Sequence, residues 1–161
     1  MDKADLHQQV EDITARIAGH ALDSTLQQWL NTEYGPGSAA FTQLQRTCED
    51  GVAAGWLCQR EAGGIRFGRV FKPEEALHGF SVDVVDMNDI AGPHHLHPNG
   101  EIDMIMPLDA GARFDGQGAG WLVYAPGSAH PPTVSGGRAL VLYLLPGGAI
   151  EFSRTSEVAT R

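Results

Sequence analysis

Gly92-Pro93-His94-His95-Leu96-His97-Pro98-Asn99-Gly100-Glu101 is the stretch on which the fold turns. His95 and His97 are two residues apart, so on a strand both imidazoles leave the same face, and His94 leaves the other. Asn99-Gly100 is a tight-turn signal. It returns the chain so that Glu101 opens the next strand beside the two imidazoles. Working outward, strands are expected at 101–107, 120–125, 129–134 and 138–145, separated by Gly, Pro and Asn-Gly punctuation. Upstream, Phe80, Val82 and Val84 alternate with Ser81 and Asp83 as a half-buried strand does, and Ile65, Phe67 and Val70 among Gly63, Gly64 and Gly68 predict a short hairpin. Most of the 20 Gly and 9 Pro lie after residue 60. Short strands at this spacing favour a small β-barrel or jelly roll.

Residues 1–60 read differently. Leu6, Val10, Ile13 and Ile17 recur at helical spacing and end near Gly19. Asp23 or Ser24 can cap a second helix carrying Leu26, Trp29 and Leu30. Gly35-Pro36-Gly37 breaks the chain, and Ser38 caps a third helix with Phe41, Leu44, Cys48 and Val52 on one side. The expected organisation is a helical N-terminal segment, 1–60, and a β-barrel domain, 61–161. Three helices before a Gly-rich hairpin also match a winged helix, but four Lys and Arg against eight Asp and Glu in residues 1–60 argue against a DNA reader.

The 161 residues carry a net charge of −9, with no basic half, so neither nucleic acid nor an anionic membrane surface is an expected partner. No apolar run is long enough to cross a bilayer. Met1-Asp2-Lys3-Ala4-Asp5 is no secretory signal, and Cys48 and Cys58 form no CxxC pair. A cytoplasmic protein with two reduced, buried thiols is expected. A helical segment beside a barrel is compatible with a homodimer.

Gly120-Trp121-Leu122-Val123-Tyr124-Ala125-Pro126-Gly127-Ser128-Ala129-His130 supplies a turn and a further His at the head of a strand. Three imidazoles and a carboxylate converging inside a barrel make a mixed N/O site. Such a site suits a divalent metal ion (Fe, Mn or Zn, and equally Co or Ni by donor type) and leaves positions open for substrate.

His95 through Glu101 resembles the first cupin motif, two His one residue apart and a Glu after a short loop, and Gly120 through His130 resembles the second. A cupin-type β-barrel, or jelly roll, with His95, His97, Glu101 and His130 as metal ligands is what that resemblance implies. A closer likeness covers most of the barrel region. The run Gly92-Pro93-His94-His95 through Glu101-Ile102-Asp103-Met104-Ile105-Met106-Pro107, then Ala112-Arg113-Phe114-Asp115-Gly116 and Gly118-Ala119-Gly120-Trp121, is similar to the bacterial 4-hydroxylaminobenzoate lyases. So are Pro126 through His130 and Gly137-Arg138-Ala139-Leu140-Val141-Leu142-Tyr143-Leu144-Leu145-Pro146. The likeness implies a carbon–nitrogen lyase of nitrobenzoate breakdown that converts 4-hydroxylaminobenzoate to protocatechuate with release of ammonia. Substrate plus water balances product plus ammonia, so neither O2 nor a redox partner is required.

On that reading the metal binds the hydroxylamino oxygen or an activated water, and Glu101 is a fourth ligand or a proton shuttle. Asp103, on the face of Glu101, can orient a His or move a proton. A benzoate needs a cation, and Arg113 and Arg138 are the candidates within the barrel. Trp121, Tyr124 and Tyr143 are candidates to line the ring pocket. Met104 and Met106 alternate with Asp103 and Ile105 and are expected to pack in the other layer. The alternatives are a cupin oxygenase acting on an aromatic substrate and a cupin that binds an aromatic acid without turnover.

Overall fold

The computed structural model describes residues 1–152; residues 153–161 at the end of the expected barrel domain lie outside the described residues. Helix α1 spans Lys3–Ile17, with Asp2 and Asp5 forming a reciprocal capping box. Helix α2 (Ser24–Glu33) is capped by the Asp23 carboxylate, and α3 (Ala39–Ala54) by Ser38. Helix α3 ends at Gly55 in the left-handed conformation that glycine adopts without strain.

The strands follow. They are β1 (Arg60–Ala62), β2 (Ile65–Phe71), β3 (Phe80–Ala91), β4 (His95–His97), β5 (Glu101–Pro107), β6 (Arg113–Phe114), β7 (Gly120–Tyr124), β8 (Ser128–His130), β9 (Thr133–Pro146) and β10 (Glu151–Phe152). The large sheet runs β1-β2-β3-β9-β5-β7, with β6 also on β9; the small sheet runs β10-β4-β8. The protein is mainly β, a two-sheet jelly roll with a helical N-terminal segment. Among the described residues the two sheets are not joined by strand pairing into a closed barrel.

Alternation along each strand of the large sheet divides the side chains between two layers. Val82, Val84, Ile102, Met104, Met106, Trp121, Leu140, Leu142 and Leu144 share one core with Leu6, Val10, Leu30, Phe41 and Leu44 of the helices. Met87, Ile105, Val141, Tyr143 and Leu145 point the other way, into the space between the sheets, with Ile65, Phe114 and Val134. The helices therefore cover one face and leave the other to the small sheet. Helix α2 also satisfies the edge strand β7: Asn31 Oδ1 accepts from Trp121 N at 2.8 Å, Asn31 Nδ2 donates to Trp121 O at 2.9 Å, and Gln27 Oε1 accepts from Val123 N at 2.8 Å. An edge tied down in this way cannot template pairing with another chain.

Two local expectations are revised. Instead of strands at 129–134 and 138–145, the chain forms β8 in the small sheet and a continuous β9 in the large one. Pro131-Pro132 separates them, and the register of β9 on β3 shifts between Asn88 and Ile90. The extra residues are held by Asp89, whose Oδ1 accepts from Gly136 N at 2.7 Å and Gly137 N at 3.3 Å. The Asn99-Gly100 turn does bring Glu101 beside the two imidazoles, but by carrying the chain from the small sheet to the large one rather than by pairing β4 with β5. Gly100 has φ 87°, and a Cβ there would lie 2.7 Å from the Tyr124 carbonyl oxygen, so this position has no room for another residue. Cys48 and Cys58 are both free and buried, as expected, and burial pushes the Cys58 thiol up to about 12.

Candidate metal centre

Antiparallel pairing of β4 with β8 sets His95 directly opposite His130, and alternation puts His97 on the same side as His95. Glu101, first residue of β5, faces them from the large sheet. His95 Nε2 lies 3.5 Å and His97 Nε2 3.3 Å from Glu101 Oε1; His130 Nε2 lies 3.5 Å from Glu101 Oε2. One donor atom from each of the four falls within 4.8 Å of all the others.

All three Nε2 atoms and both Glu101 oxygens are buried without a hydrogen-bond partner. Leaving that many polar atoms unsatisfied would be costly. The opposite ring nitrogens of two of the imidazoles are engaged: His97 Nδ1 meets Ser128 Oγ at 2.9 Å, and His130 Nδ1 meets Asp115 Oδ2 at 2.5 Å. Those contacts aim Nε2 of both rings at the common point, as outer partners do around bound metals. The geometry and the N/O donor set fit a divalent first-row ion.

Burial raises the Glu101 carboxyl, but the three surrounding imidazoles outweigh it and hold the group well below the usual carboxylate range. Asp103 goes the other way. It is fully buried, and desolvation together with the Glu101 charge pushes it well above that range. Burial acts against the His130 imidazolium, but Asp115 and Glu101 overcome it and push His130 up to about 9.

Asp115 is the residue beside the cluster that sequence reasoning passed over. Its Oδ2 also accepts from the Tyr124 hydroxyl, and its Oδ1 accepts from Thr133 N at 2.9 Å. Its backbone is left-handed, φ 49°, which is uncommon for a non-glycine residue and is held here by those contacts. In sequence, Asp115-Gly116 gives only a turn signal.

Replacing Asp115 with Asn is expected to weaken metal affinity by about 10–100-fold, the usual cost of losing an outer carboxylate. A second effect appears in metal-free protein. A His raised in the fold stabilises fully below its unfolded value of 6.5, and that contribution disappears as pH rises through about 9. The melting temperature of the variant should therefore fall below the parent's at pH 6–7 and converge with it above pH 9. Equal melting temperatures at pH 6 would contradict the role given to Asp115.

Of the remaining candidates, Tyr124 and Tyr143 point between the sheets. The Tyr124 ring lies 4.4 Å from His130 and 5.4 Å from His97, and the Tyr143 ring 6.5 Å from His95, centroid to centroid. Trp121 is not brought to the site: it lies on the helical face of β7, where its Nε1 donates to Tyr34 O at 2.9 Å. Arg138 is on that face too, and it forms a bidentate pair with Asp86, 2.8 Å on both arms. Arg113 is exposed, with Nη1 3.5 Å from Gly116 O. Neither arginine lines the cavity that reaches the cluster. That cavity, of about 710 Å³, is bordered by His95, Tyr143, Met87, Phe67, Phe152 and Pro132, and the cations on its wall are Arg60, Arg69 and Lys72. No described helix is long and apolar enough to cross a membrane.

A family model described as "PnbB: 4-hydroxylaminobenzoate lyase" matches residues 8–152. A 4-hydroxylaminobenzoate lyase of Nocardioides sp. (strain LMS-CY) is 38% identical over 155 residues, which span 91% of this chain and 89% of that protein. One from Pseudomonas putida is 34% identical over 158 residues, spanning 88% of this chain and 90% of that protein. Among solved structures, an RmlC-like cupin protein of Ralstonia eutropha JMP134 superposes with a TM-score of 0.42 at 14% identity, over 61% of this chain and 73% of that one.

Proposed function

Because the chain belongs to the 4-hydroxylaminobenzoate lyase family, we propose that it converts 4-hydroxylaminobenzoate and water to 3,4-dihydroxybenzoate (protocatechuate) and ammonia at the His95–His97–Glu101–His130 cluster. The observation that carries the reading is likeness over nearly the whole chain to two proteins of that name. The buried donor cluster at the foot of a ring-sized cavity supports it.

His95, His97, His130 and Glu101 would hold a divalent ion, Fe, Mn or Zn, which supplies Lewis acidity toward an oxygen atom. The remaining chemistry belongs to the chain's own groups and to water. The N–O bond breaks with both electrons going to oxygen, so that oxygen needs a proton to leave as water. We assign that proton to Asp103, buried beside Glu101 with its carboxyl held well above the usual range. Loss of the oxygen leaves the ring electron-poor, and water adds at the carbon next to the C–N bond. A second water hydrolyses the imine and releases ammonia, after which the ring regains aromaticity as the diol. One water is released and two are consumed, which matches the net reaction.

Tyr143 and Phe67 give the ring an apolar wall, and Tyr124, tied to Asp115, borders the imidazoles. We take residues 1–60 as a helical cover for the domain 61–161, with the enzyme cytoplasmic and able to act as a homodimer. The decisive assay is anaerobic. Stoichiometric ammonia and 3,4-dihydroxybenzoate from 4-hydroxylaminobenzoate are expected without O2. Turnover that requires O2 would make the protein an oxygenase, and binding of the aromatic acid with no turnover would make it a binding protein.

A further inference from the structure

We infer that Arg69, held by Asp83, receives the carboxylate of the aromatic substrate; the inference rests on the lyase reading and specifies how that site selects its substrate. An acidic chain repels a benzoate anion overall, so the attraction must be local. The cavity wall supplies it: Arg60, Arg69 and Lys72 line the cavity, against Asp83 as the carboxylate among the lining residues.

Arg69 is the one of the three that is fixed in place. Its Nε donates to Asp83 Oδ1 at 2.9 Å, and its Nη2 donates to Asp83 Oδ2 at 3.2 Å and to Gly148 O at 3.1 Å. These contacts occupy one edge of the guanidinium and leave Nη1 without a protein partner among the described residues. Gly148 keeps the approach to that nitrogen open. It has φ 68°, and a Cβ there would lie 2.8 Å from Nη1.

Strand register connects this group to the reacting end. Arg69 lies opposite Asp83, Asp83 opposite Tyr143, and Tyr143 opposite Asp103, so the four form one inward-facing row across β2, β3, β9 and β5. Arg69 and Asp103 are three strands apart, roughly 14 Å between backbones at ordinary strand spacing. The carboxylate is therefore received at the end of the row remote from Asp103, with Tyr143 on the cavity wall between the two ends.

The test is equilibrium binding of 3,4-dihydroxybenzoate and of catechol to the metal-loaded protein, followed by calorimetry. The two ligands present the same diol and differ only in the carboxylate. The parent protein should bind the acid about 10–100-fold more tightly, the range of one charge-assisted hydrogen bond. Arg69→Met should bring the ratio close to one. Because that variant strands the Asp83 charge, Arg69→Met/Asp83→Asn is measured beside it, with circular dichroism to confirm folding. Arg113→Met, on the exposed strand β6 and outside the cavity lining, should keep the full ratio. A parent ratio near one, or a folded double variant that keeps the parent ratio, overturns the inference. If discrimination depends on Arg69 but no ammonia is released, the lyase reading fails and the carboxylate site stands. If ammonia is released and discrimination survives without Arg69, the reverse holds.

Discussion

Replacing His97 with alanine is expected to cut metal affinity by more than about 100-fold and to abolish ammonia release, while the protein still folds. The bound on affinity comes from outer-shell partners, whose loss alone costs 10–100-fold, and a direct donor should cost more. His97 is fully buried, its Nε2 meets only the common point of the cluster, and its Nδ1 is already fixed by Ser128. Folding should survive because the cluster contributes little to the metal-free core: its polar atoms are unsatisfied there, and the apolar packing of both layers lies elsewhere. Elemental analysis after dialysis, together with the anaerobic assay, checks the expectation. Full metal content and full activity in His97→Ala would remove the cluster from the mechanism.

The pairing of His95 with His97, and of both with Glu101, was legible because each link is local. Strand alternation fixes a face, and Asn-Gly fixes a turn. His130 required the second motif, since nothing local says that β8 pairs with β4. Trp121 and Arg138 show how an alternation argument fails when only half applied. Trp121 and Tyr124 are three residues apart on one strand, and Arg138 and Tyr143 five apart, so each pair must split between faces. Tyr124 and Tyr143 took the inner face, which assigns the other two to the helices. Arg69 was not legible, because a hairpin strand becomes a cavity wall only when β3 and the small sheet close around it. Asp115 was hidden for a different reason: a residue in a left-handed turn has no periodicity to betray what its side chain holds.

Asp103→Asn is the substitution expected to separate chemistry from every structural role of the site. Asparagine matches the shape of the protonated carboxyl but has no proton to give, so turnover should fall by about 100- to 10,000-fold, the span of a lost general acid. Metal content and binding of 3,4-dihydroxybenzoate should persist, because Asp103 is outside the four-donor set. In the parent enzyme, turnover should decline as pH rises through the elevated value of Asp103, since only the protonated form donates; the residual turnover of the variant should lack that limb. Stability should move in the opposite direction from activity. The unfolded chain ionises this group above about 3.8, whereas the fold raises its value, so rising pH penalises the native state and the asparagine escapes the penalty. A melting temperature higher than the parent's at neutral pH, combined with collapsed turnover, is the expected pair of results. Retained turnover with an unchanged pH profile would show that the proton comes from elsewhere, and a melting temperature lowered at neutral pH would show that the fold does not raise the Asp103 carboxyl.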